Sequence, residues 1–351
     1  MNPGKVSESI LKRSVLKYVQ LNNQAVENAC HLITEAKVGA DSALFAVSET
    51  ERDFLGTATG VSVGRHRMVI VEAIINACNN LICSGAEAFG VEIALILPEN
   101  VFESELKHMM DEAKEYAVAH HITMLGGHTM VSPAVTETIA TVTALGKAVK
   151  GIDEKEGSLS PKQACVNGCR MINAGMDIVV SKWAGLQGTA KIAVSKEEEL
   201  AKRLPGRMLR EAATYSQYMS IVPEGRIALK EGVRILHDVS GGGMFRALWE
   251  LAELAGTGLR VDLKKIPIKQ ETIEICEVFG LNPYELLSGG ALLMVTDDGE
   301  SLAVKLWEAD IPAAVIGKIT DNNDRVILTH WDGSEEIRYL ERPKTDEIDK
   351  I

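Results

Sequence analysis

The sequence lacks the features that mark nucleic-acid-binding, secreted and membrane-spanning proteins. Acidic residues outnumber basic ones, 49 to 37, and the net charge of −12 argues against a surface that neutralises nucleic-acid phosphates. The opening residues, Met1-Asn2-Pro3-Gly4-Lys5, contain no apolar core of a signal peptide. The apolar run over residues 69–83 is interrupted by Glu72 and three asparagines, so it is too polar to span a bilayer. We therefore expect a cytoplasmic protein that binds neither nucleic acid nor membrane.

Cysteine is also scarce. The chain has six cysteines in 351 residues, and we expect reduced thiols rather than a disulfide framework. Cys165 and Cys169 have a Cys-x3-Cys spacing, but no second Cys or His pair follows nearby in the sequence to complete a tetrahedral zinc site. The pair His120-His121 is equally isolated. The cysteines and this histidine pair are therefore interpreted as structural.

Segments typical of strands alternate with segments typical of helices along the whole chain. The length of 351 residues exceeds what one ordinary core accommodates. Residues 150–161 form a polar stretch that is rich in turn-forming residues and is the best candidate for a linker. We therefore predict two domains, residues 1–150 and residues 151–351. The alternation of strands and helices predicts an α/β or α+β fold for both.

The most informative motif is His237-Asp238-Val239-Ser240-Gly241-Gly242-Gly243. It follows an apolar run typical of a strand and leads into residues 244–252, whose apolar positions recur at helical spacing. Glycines between a strand and a helix leave backbone N–H groups unshielded at the positive end of the helix dipole, which suits a phosphate. Glycine also suits a close-packed turn for steric reasons. The local pattern leaves a phosphate site and a packing turn equally open.

Two further segments combine polar side chains with apolar neighbours or with glycine. Residues 65–84 predict a long helix that ends at Gly85, and the polar side chains of this helix lie on one stripe. The members of the stripe are Glu72, Asn76, Asn79 and Asn80. The stripe faces a polar cleft, another backbone or solvent. In Leu125-Gly126-Gly127-His128-Thr129, a strand predicted over residues 122–125 ends in a glycine pair, which lets a ligand approach the backbone closely.

Together these motifs resemble one superfamily, which contains aminoimidazole ribonucleotide (AIR) synthetase, the hydrogenase maturation factor HypE, thiamine-monophosphate kinase and selenophosphate synthetase. The resemblance covers nearly the whole chain and is strongest to HypE, above all over residues 237–281. The other matching segments are Gly4-Lys5-Val6, Gly39-Ala40-Asp41-Ser42-Ala43, Ala77-Cys78-Asn79-Asn80-Leu81 and Gly126-Gly127-His128-Thr129. Each motif is of middling specificity, but five in the same order are a strong signal.

The resemblance implies a two-domain PurM-like fold: an N-terminal domain that forms a homodimer through its sheet, and an α/β C-terminal domain, with ATP between the two. Such proteins phosphorylate an amide, carbamoyl or phosphate oxygen, or selenide, and acidic side chains hold Mg²⁺ and the phosphates. Carried over residue by residue, the resemblance implies catalytic roles for Asp41, His128 and Asp238, with Asp41 and Asp238 as magnesium ligands. The implied ATP-binding positions are Gly39, Asp41, Asn79, Asn80, Gly126, Gly127, Thr129, Gly241, Gly242, Gly243 and Gly289.

The sequence also departs from the family pattern, mostly where that pattern has carboxylates. Asp41 is present, but Ala40 replaces its acidic neighbour, and the Asn-Asp motif of the helix is Asn79-Asn80. The other departures are Gly56-Thr57-Ala58-Thr59 for a Thr-Thr-Asp strand, His128 for an aspartate, Ser288-Gly289-Gly290 as in selenophosphate synthetase, Pro3-Gly4 where that enzyme has its catalytic cysteine, and a carboxyl end without the terminal cysteine of HypE. Each lost carboxylate removes charge that a magnesium ion needs.

Two hypotheses of different class follow. The first is an ATP-dependent enzyme that phosphorylates an amide, carbamoyl or similar oxygen of a small-molecule substrate. The second is a catalytically degenerate nucleotide-binding or scaffold homologue that acts with a partner in a maturation or biosynthetic complex. The glycine turns favour a phosphate ligand, and the missing carboxylates favour the second hypothesis. The first is preferred by analogy, because the family consists overwhelmingly of enzymes.

Overall fold

The structure is a computed structural model that describes residues 6, 8–25, 31–34, 36–46, 54–149, 171–331 and 334–351. The chain divides into two compact units. The N-terminal unit consists of residues 26–36 and 40–165, and the C-terminal unit consists of residues 1–25, 37–39 and 166–351. The predicted linker at 150–161 and the pair Cys165 and Cys169 lie outside the described residues. The predicted domain boundary therefore stays a prediction.

The beginning of the chain is helical and belongs to the C-terminal unit. Helices α1 (Glu8–Leu11) and α2 (Lys17–Ala25) are joined by a π-helical turn over Lys12–Leu16. Glu8 forms an ion pair with Arg342, with 3.3 Å between the guanidinium nitrogen and the carboxylate oxygen. This segment thus groups with residues near the other end of the chain, a difference from the predicted domain of residues 1–150.

A six-stranded sheet with the order β1-β2-β3-β6-β4-β5 forms the N-terminal unit. Neighbouring strands are antiparallel, except for the parallel pair β4 and β5. The strands are β1 (His31–Leu32), β2 (Ser42–Ala46), β3 (Phe54–Gly64), β4 (Ala86–Leu97), β5 (Thr123–Val131) and β6 (Thr138–Ala148). Burial alternates along β3, because one face of the sheet is covered and the other is open.

Helices α3 (Val69–Cys83) and α4 (Glu103–Ala119) cover one face of this sheet. Sequence periodicity predicts a helix from residue 65, but the structure begins α3 at Val69, because residues 65–68 form a turn in which the Val69 N–H donates to the His66 carbonyl at 3.2 Å. The predicted end at Gly85 is confirmed. This glycine has a φ of +90°, and its N–H donates to the carbonyl of Ile82 at 3.0 Å.

The C-terminal unit is built on a seven-stranded sheet with the order β13-β12-β9-β11-β7-β10-β8. Its strands are β7 (Asp177–Ser181), β8 (Ile235–Asp238), β9 (Leu259–Asp262), β10 (Leu292–Thr296), β11 (Ala313–Ile319), β12 (Arg325–Trp331) and β13 (Ser334–Tyr339). Its further helices are α5 (Leu186–Ser195), α6 (Glu197–Leu200), α7 (Gly206–Ala213), α8 (Val222–Lys230), α9 (Gly243–Ala255), α10 (Gln270–Phe279) and α11 (Gly299–Glu308).

Helix α9 supplies one side of the main apolar core of this unit. Its residues Met244, Leu248 and Leu251 are buried in one cluster with strand residues that include Val180 and Leu293. The two units together confirm the predicted α/β class with two sheets. Within the described ranges, no helix combines the length and the apolar character needed to cross a membrane.

Candidate functional site

The glycine turn after strand β8 is a close-packed turn. Gly242 and Gly243 have φ values of +83° and +65°, which favour glycine. A Cβ on Gly243 would lie 2.6 Å from the carbonyl oxygen of Tyr284 and 2.7 Å from that of Leu286. Gly243 also begins helix α9. The packing interpretation of this turn is therefore correct for Gly243.

The same turn also binds an anion, and that anion belongs to the chain itself. The Asp346 carboxylate accepts hydrogen bonds from the N–H groups of Gly242 at 2.6 Å, Leu287 at 3.0 Å and Ile348 at 2.9 Å. Burial raises the pKa of this carboxyl, because low-dielectric surroundings disfavour its charged form, while the N–H groups of Ile348, Gly242 and Leu287 oppose the rise. Sequence reasoning missed Asp346, which lies 104 residues from Gly242 and stands in no recognisable motif.

The segment Ser288-Gly289-Gly290 lies beside this turn. The Ser288 hydroxyl accepts from the Gly185 N–H at 2.6 Å and donates to the Leu286 carbonyl at 2.6 Å, while its backbone N–H donates to Ser240 at 3.3 Å. A Cβ on Gly289 would lie 2.2 Å from Oε1 of Gln187. The predicted positions Gly241 to Gly243 and Gly289 therefore lie on loops that contact each other.

Sequence reasoning also missed a buried ion pair directly after strand β7. Lys182 has a φ of +58°, and its ammonium group donates to the carbonyls of Tyr218 at 2.9 Å and Ser220 at 2.7 Å. The carboxylate of Glu224 lies 2.7 Å from the same nitrogen. Burial lowers the pKa of Lys182, and Glu224 opposes this shift. With these three partners the ammonium has one acceptor for each of its protons, so it serves as a structural link.

His237 and Asp238 stand at the end of strand β8. His237 is 2% exposed, and its Nε2 lies 3.3 Å from the Glu250 carboxylate. Glu250 also accepts from Arg246 at 3.2 Å and from Arg342 at 3.4 Å. Asp238 is partly buried and pairs with Leu292 in the sheet. His237 thus belongs to a buried charge network, whereas the catalytic role of Asp238 stays a prediction.

In the N-terminal unit, the polar stripe of helix α3 faces the backbone of strand β3. The amide of Asn80 donates to the Thr59 carbonyl at 3.2 Å, and that of Asn76 donates to the Val61 carbonyl at 3.1 Å. The Ser62 hydroxyl donates to Glu72 at 2.8 Å. One helical turn rises about 5.4 Å, which is close to the length of two residues in a strand. Two amides that lie one helical turn apart therefore reach two carbonyls that lie two residues apart on β3. Of the alternatives, the contact with another backbone is correct for Asn76 and Asn80, whereas Glu72 contacts a side chain of the same strand.

Gly126 and Gly127 lie inside strand β5, which corrects the prediction that a strand ends at residue 125. The strand continues because Gly127 pairs with Ile93 of β4, after an irregularity in the register. The two glycines have φ values of +148° and +147°, which glycine adopts readily. A Cβ on Gly127 would lie 1.8 Å from the Ile93 carbonyl oxygen. Close approach by β4 therefore explains this glycine, and His128 and Thr129 follow on an exposed edge strand.

The predicted acidic site is not assembled within the N-terminal unit. Asp41 is exposed and precedes strand β2, whereas His128 lies on β5, four strand spacings of about 4.8 Å away across the sheet. Ligands of one metal ion lie within about 2.6 Å of it, so these two residues of one chain do not share an ion. Gly39 belongs to the C-terminal unit, where a Cβ would lie 3.0 Å from Leu254.

The magnesium site with Asp41 and Asp238 as ligands stays a prediction. Among them, no group of three or more His, Cys, Asp or Glu side chains lies close enough to hold a metal ion. Asn80, which stands where the resemblance places a metal-binding aspartate, directs its amide N–H to a backbone carbonyl. An asparagine ligates a cation through its Oδ1 oxygen, which takes no part in this hydrogen bond.

The comparisons with known proteins agree on one family. Residues 39–148 match the AIR synthase related protein, N-terminal domain, and residues 173–329 match the AIR synthase related protein, C-terminal domain. A putative hydrogenase expression/formation protein of Methanocaldococcus jannaschii is 25% identical over 285 residues, which cover 80% of this chain and 77% of that protein. The carbamoyl dehydratase HypE of Rhodobacter capsulatus is 25% identical over 66% of this chain and 62% of its own length.

Solved structures show the same fold. E. coli HypE superposes with a TM-score of 0.71 at 20% identity, covering 95% of this chain and 99% of that one. A HypE structure in complex with ATP gives a TM-score of 0.67 at 16% identity, over 99% and 97% of the two chains. The HypE–HypF complex gives 0.67 at 18% identity, over 94% and 100%. The predicted PurM-like fold is therefore confirmed, and the chain belongs to the AIR synthase related protein family.

Proposed function

We propose that this chain is an ATP-dependent enzyme that transfers the γ-phosphoryl group of ATP to an amide, carbamoyl or similar oxygen of a small substrate. The observation that carries the proposal is the match to both domains of one family, over residues 39–148 and 173–329. A similar protein is named carbamoyl dehydratase, and a HypE structure holds ATP. In the transfer, a bond forms from the acceptor oxygen to phosphorus, and the bond to the ADP oxygen breaks.

The residues proposed to carry this activity are those that the resemblance implies. The proposed catalytic residues are Asp41, His128 and Asp238. The proposed ATP-binding positions are Gly39, Asp41, Asn79, Asn80, Gly126, Gly127, Thr129, Gly241, Gly242, Gly243 and Gly289. Since no group of three or more His, Cys, Asp or Glu side chains among the described residues could hold a metal ion, we derive no step through a resident metal ion.

We further propose that the chain forms a homodimer through the open face of the N-terminal sheet. On this face Val61 and Val63 of strand β3 are 51% and 52% exposed. Exposed apolar side chains on a sheet face that helices leave uncovered are typical of a protein interface. The family resemblance implies a dimer through the same sheet.

A second candidate is a nucleotide-binding homologue without turnover that acts in a maturation complex. The observation that favours it is the amide of Asn80, which replaces a carboxylate and is committed to the Thr59 carbonyl. A HypE has been solved in complex with HypF, so a maturation partner is proposed for this candidate.

The experiment that separates the two candidates measures ADP formation by the full chain with ATP, in the presence of small amides and carbamoyl compounds. The enzyme hypothesis expects ADP release that falls at least tenfold in Asp41→Asn. The exposed residue Asp111 on helix α4 provides the matched control Asp111→Asn, which is expected to retain the rate. ATP binding without ADP release above the Asp41→Asn level would contradict the enzyme hypothesis and support the second candidate.

A further inference from the structure

A cavity of about 110 Å³ opens in the N-terminal unit, between the turn that follows strand β3 and the first turns of helix α4. Its lining includes Arg65, His66, Arg67, Asn100, His108 and Thr138. A single water molecule requires roughly 10–15 Å³ of such space, so the cavity has room for a small polyatomic group. None of its residues is among the positions proposed to bind ATP or to act in catalysis.

The cavity has a buried inner wall and an exposed rim. Met109 and Thr138, which line it, are 5% and 1% exposed. Arg65, Arg67 and His108 are exposed and form the rim. A group that enters between rim and wall is partly shielded from water, and charge-assisted hydrogen bonds are stronger in such surroundings.

The lining is basic, although the chain as a whole has a net charge of −12. Two arginines and two histidines line the cavity, together with a single carboxylate, that of Glu105. This carboxylate caps its own helix, because it accepts a hydrogen bond from the Phe102 N–H at 2.7 Å. Guanidinium and imidazole groups supply N–H donors that suit the oxygens of a phosphoryl group.

The two guanidinium groups of the rim differ in their partners. Arg67 forms an ion pair with Glu112 at 2.6 Å. Arg65 donates instead to the Thr136 carbonyl at 2.6 Å, and it forms no ion pair with any residue that the structure describes. An arginine carries five N–H donors. One bond to a neutral carbonyl therefore orients Arg65 and leaves its charge and most of its donors for a ligand.

The two histidines also differ. Nε2 of His66 lies 3.8 Å from the Glu72 carboxylate, which accepts a hydrogen bond from the Ser62 hydroxyl at 2.8 Å. Within the described ranges His108 has neither a hydrogen bond nor an ion pair. Arg65 and His108 are therefore the basic side chains of the cavity that no described carboxylate balances.

We propose that this cavity binds the phosphoryl group of a small phosphate-bearing ligand, and that Arg65 and His108 donate hydrogen bonds to its oxygens. A phosphoryl group fits better than a carboxylate, because it presents three oxygens to donors that come from two separate elements. Inorganic phosphate and a phosphate monoester offer the same oxygens. The proposal goes beyond the proposed function, since the site shares no residue with the proposed ATP-binding positions.

The test titrates the full chain by calorimetry at constant ionic strength, with inorganic phosphate and, separately, with glycerol 3-phosphate. We expect saturable binding that is at least tenfold weaker in Arg65→Gln. Lys114→Gln is the matched control, because it removes a positive charge from an exposed position of helix α4 outside the cavity. Its affinity is expected to stay within twofold of the unchanged chain. The ligand that binds more tightly distinguishes free phosphate from an organic phosphate.

A second measurement uses the unchanged chain alone. Phosphate is expected to shift the imidazole NMR signals of His108 to saturation, whereas sodium chloride at the same ionic strength is not. Signals of His108 that phosphate leaves unshifted would overturn the proposal. Equal phosphate affinity of Arg65→Gln and the unchanged chain, or no saturable binding of either ligand, would overturn it as well.

The same variant separates this site from the proposed ATP site. Arg65→Gln is expected to bind ATP as tightly as the unchanged chain does. A tenfold loss of ATP affinity would assign the cavity to nucleotide binding and would contradict a separate site. Failure of the phosphate titrations has no bearing on whether ATP binds, so the proposed function is tested independently.

Discussion

Asn80, for which the resemblance implies a carboxylate in the family, makes a hydrogen bond that a carboxylate cannot make. Its amide donates to the Thr59 carbonyl, and Asn76 one helical turn earlier donates to the Val61 carbonyl. An ionised aspartate has no proton to donate and would place its oxygen against the carbonyl oxygen. The amide at residue 80 therefore joins helix α3 to strand β3.

We predict that Asn80→Asp lowers the free energy of unfolding by about 1 kcal/mol at pH 7, because one hydrogen bond is lost and two acceptors are opposed. Urea unfolding measures this change. Asn323→Asp makes the same substitution at an exposed loop residue and is expected to be near neutral. Equal stability of the two variants, together with a magnesium-dependent gain in ATP affinity for Asn80→Asp, would instead make residue 80 a metal position.

The buried thiols provide a second prediction at this scale. Cys78 and Cys276 are 4% and 2% exposed, and burial raises the pKa of each to about 12. Since the thiolate is the reactive form, we expect neither to react with iodoacetamide in the folded protein at pH 8. Both are expected to react in urea, as peptide mapping by mass spectrometry would detect. Rapid alkylation of either residue in the folded chain would contradict its buried environment.

Among the elements, strand β5 depends most on glycine. A Cβ on Gly127 would collide with the Ile93 carbonyl of β4, whereas a Cβ on Gly126 would have no atom within 4 Å. The φ values of both, +147° and +148°, are unfavourable for any other residue. A substitution at either glycine therefore introduces backbone strain, but only a substitution at Gly127 also introduces a steric clash.

We predict that Gly126→Ala costs about 1 kcal/mol of stability from backbone strain. Gly127→Ala is expected to cost more, about 3 kcal/mol, because β4 and β5 must also separate. Thermal or urea unfolding of both variants makes the comparison internally controlled. If the two variants lose the same stability, β4 does not exclude a side chain at position 127.

The elements also show which features the sequence makes predictable. The 3.6-residue periodicity and Gly85 predict helix α3 to within four residues at its start, because amphipathic pattern and capping are local. The glycine pair at 126–127 predicts the end of a strand, which is wrong, because the sequence does not show that β4 lies against these glycines. Asp346 at the Gly242 turn could not be predicted, since it is paired across 104 residues and leaves no periodic trace.

At the scale of the whole molecule, the open face of the N-terminal sheet exposes apolar side chains. Strand β3 presents Val61 and Val63 there, and the edge strand β5 presents Met130, which is 45% exposed. A single domain rarely leaves such a face in water. A second copy of the chain is the proposed partner.

We predict that the chain sediments as a dimer at micromolar concentration and that Val61→Lys with Val63→Glu converts it into a folded monomer, because charges would be buried at the interface. Analytical ultracentrifugation measures the mass, and circular dichroism checks that the variant folds. Val304 is 56% exposed on helix α11 of the C-terminal unit, so Val304→Lys is the control and should remain dimeric. A monomeric unchanged chain at this concentration would contradict the proposed interface.

Nucleotide binding is the central proposal for this chain, which belongs to the AIR synthase related protein family. The most direct test is a calorimetric titration of the full chain with ATP, first without and then with magnesium ions. We expect one ATP to bind per chain in both titrations, and a hundredfold excess over the dissociation constant to stabilise the fold by about 2.7 kcal/mol. The absence of binding heat at millimolar ATP, with and without magnesium, would contradict the proposed function.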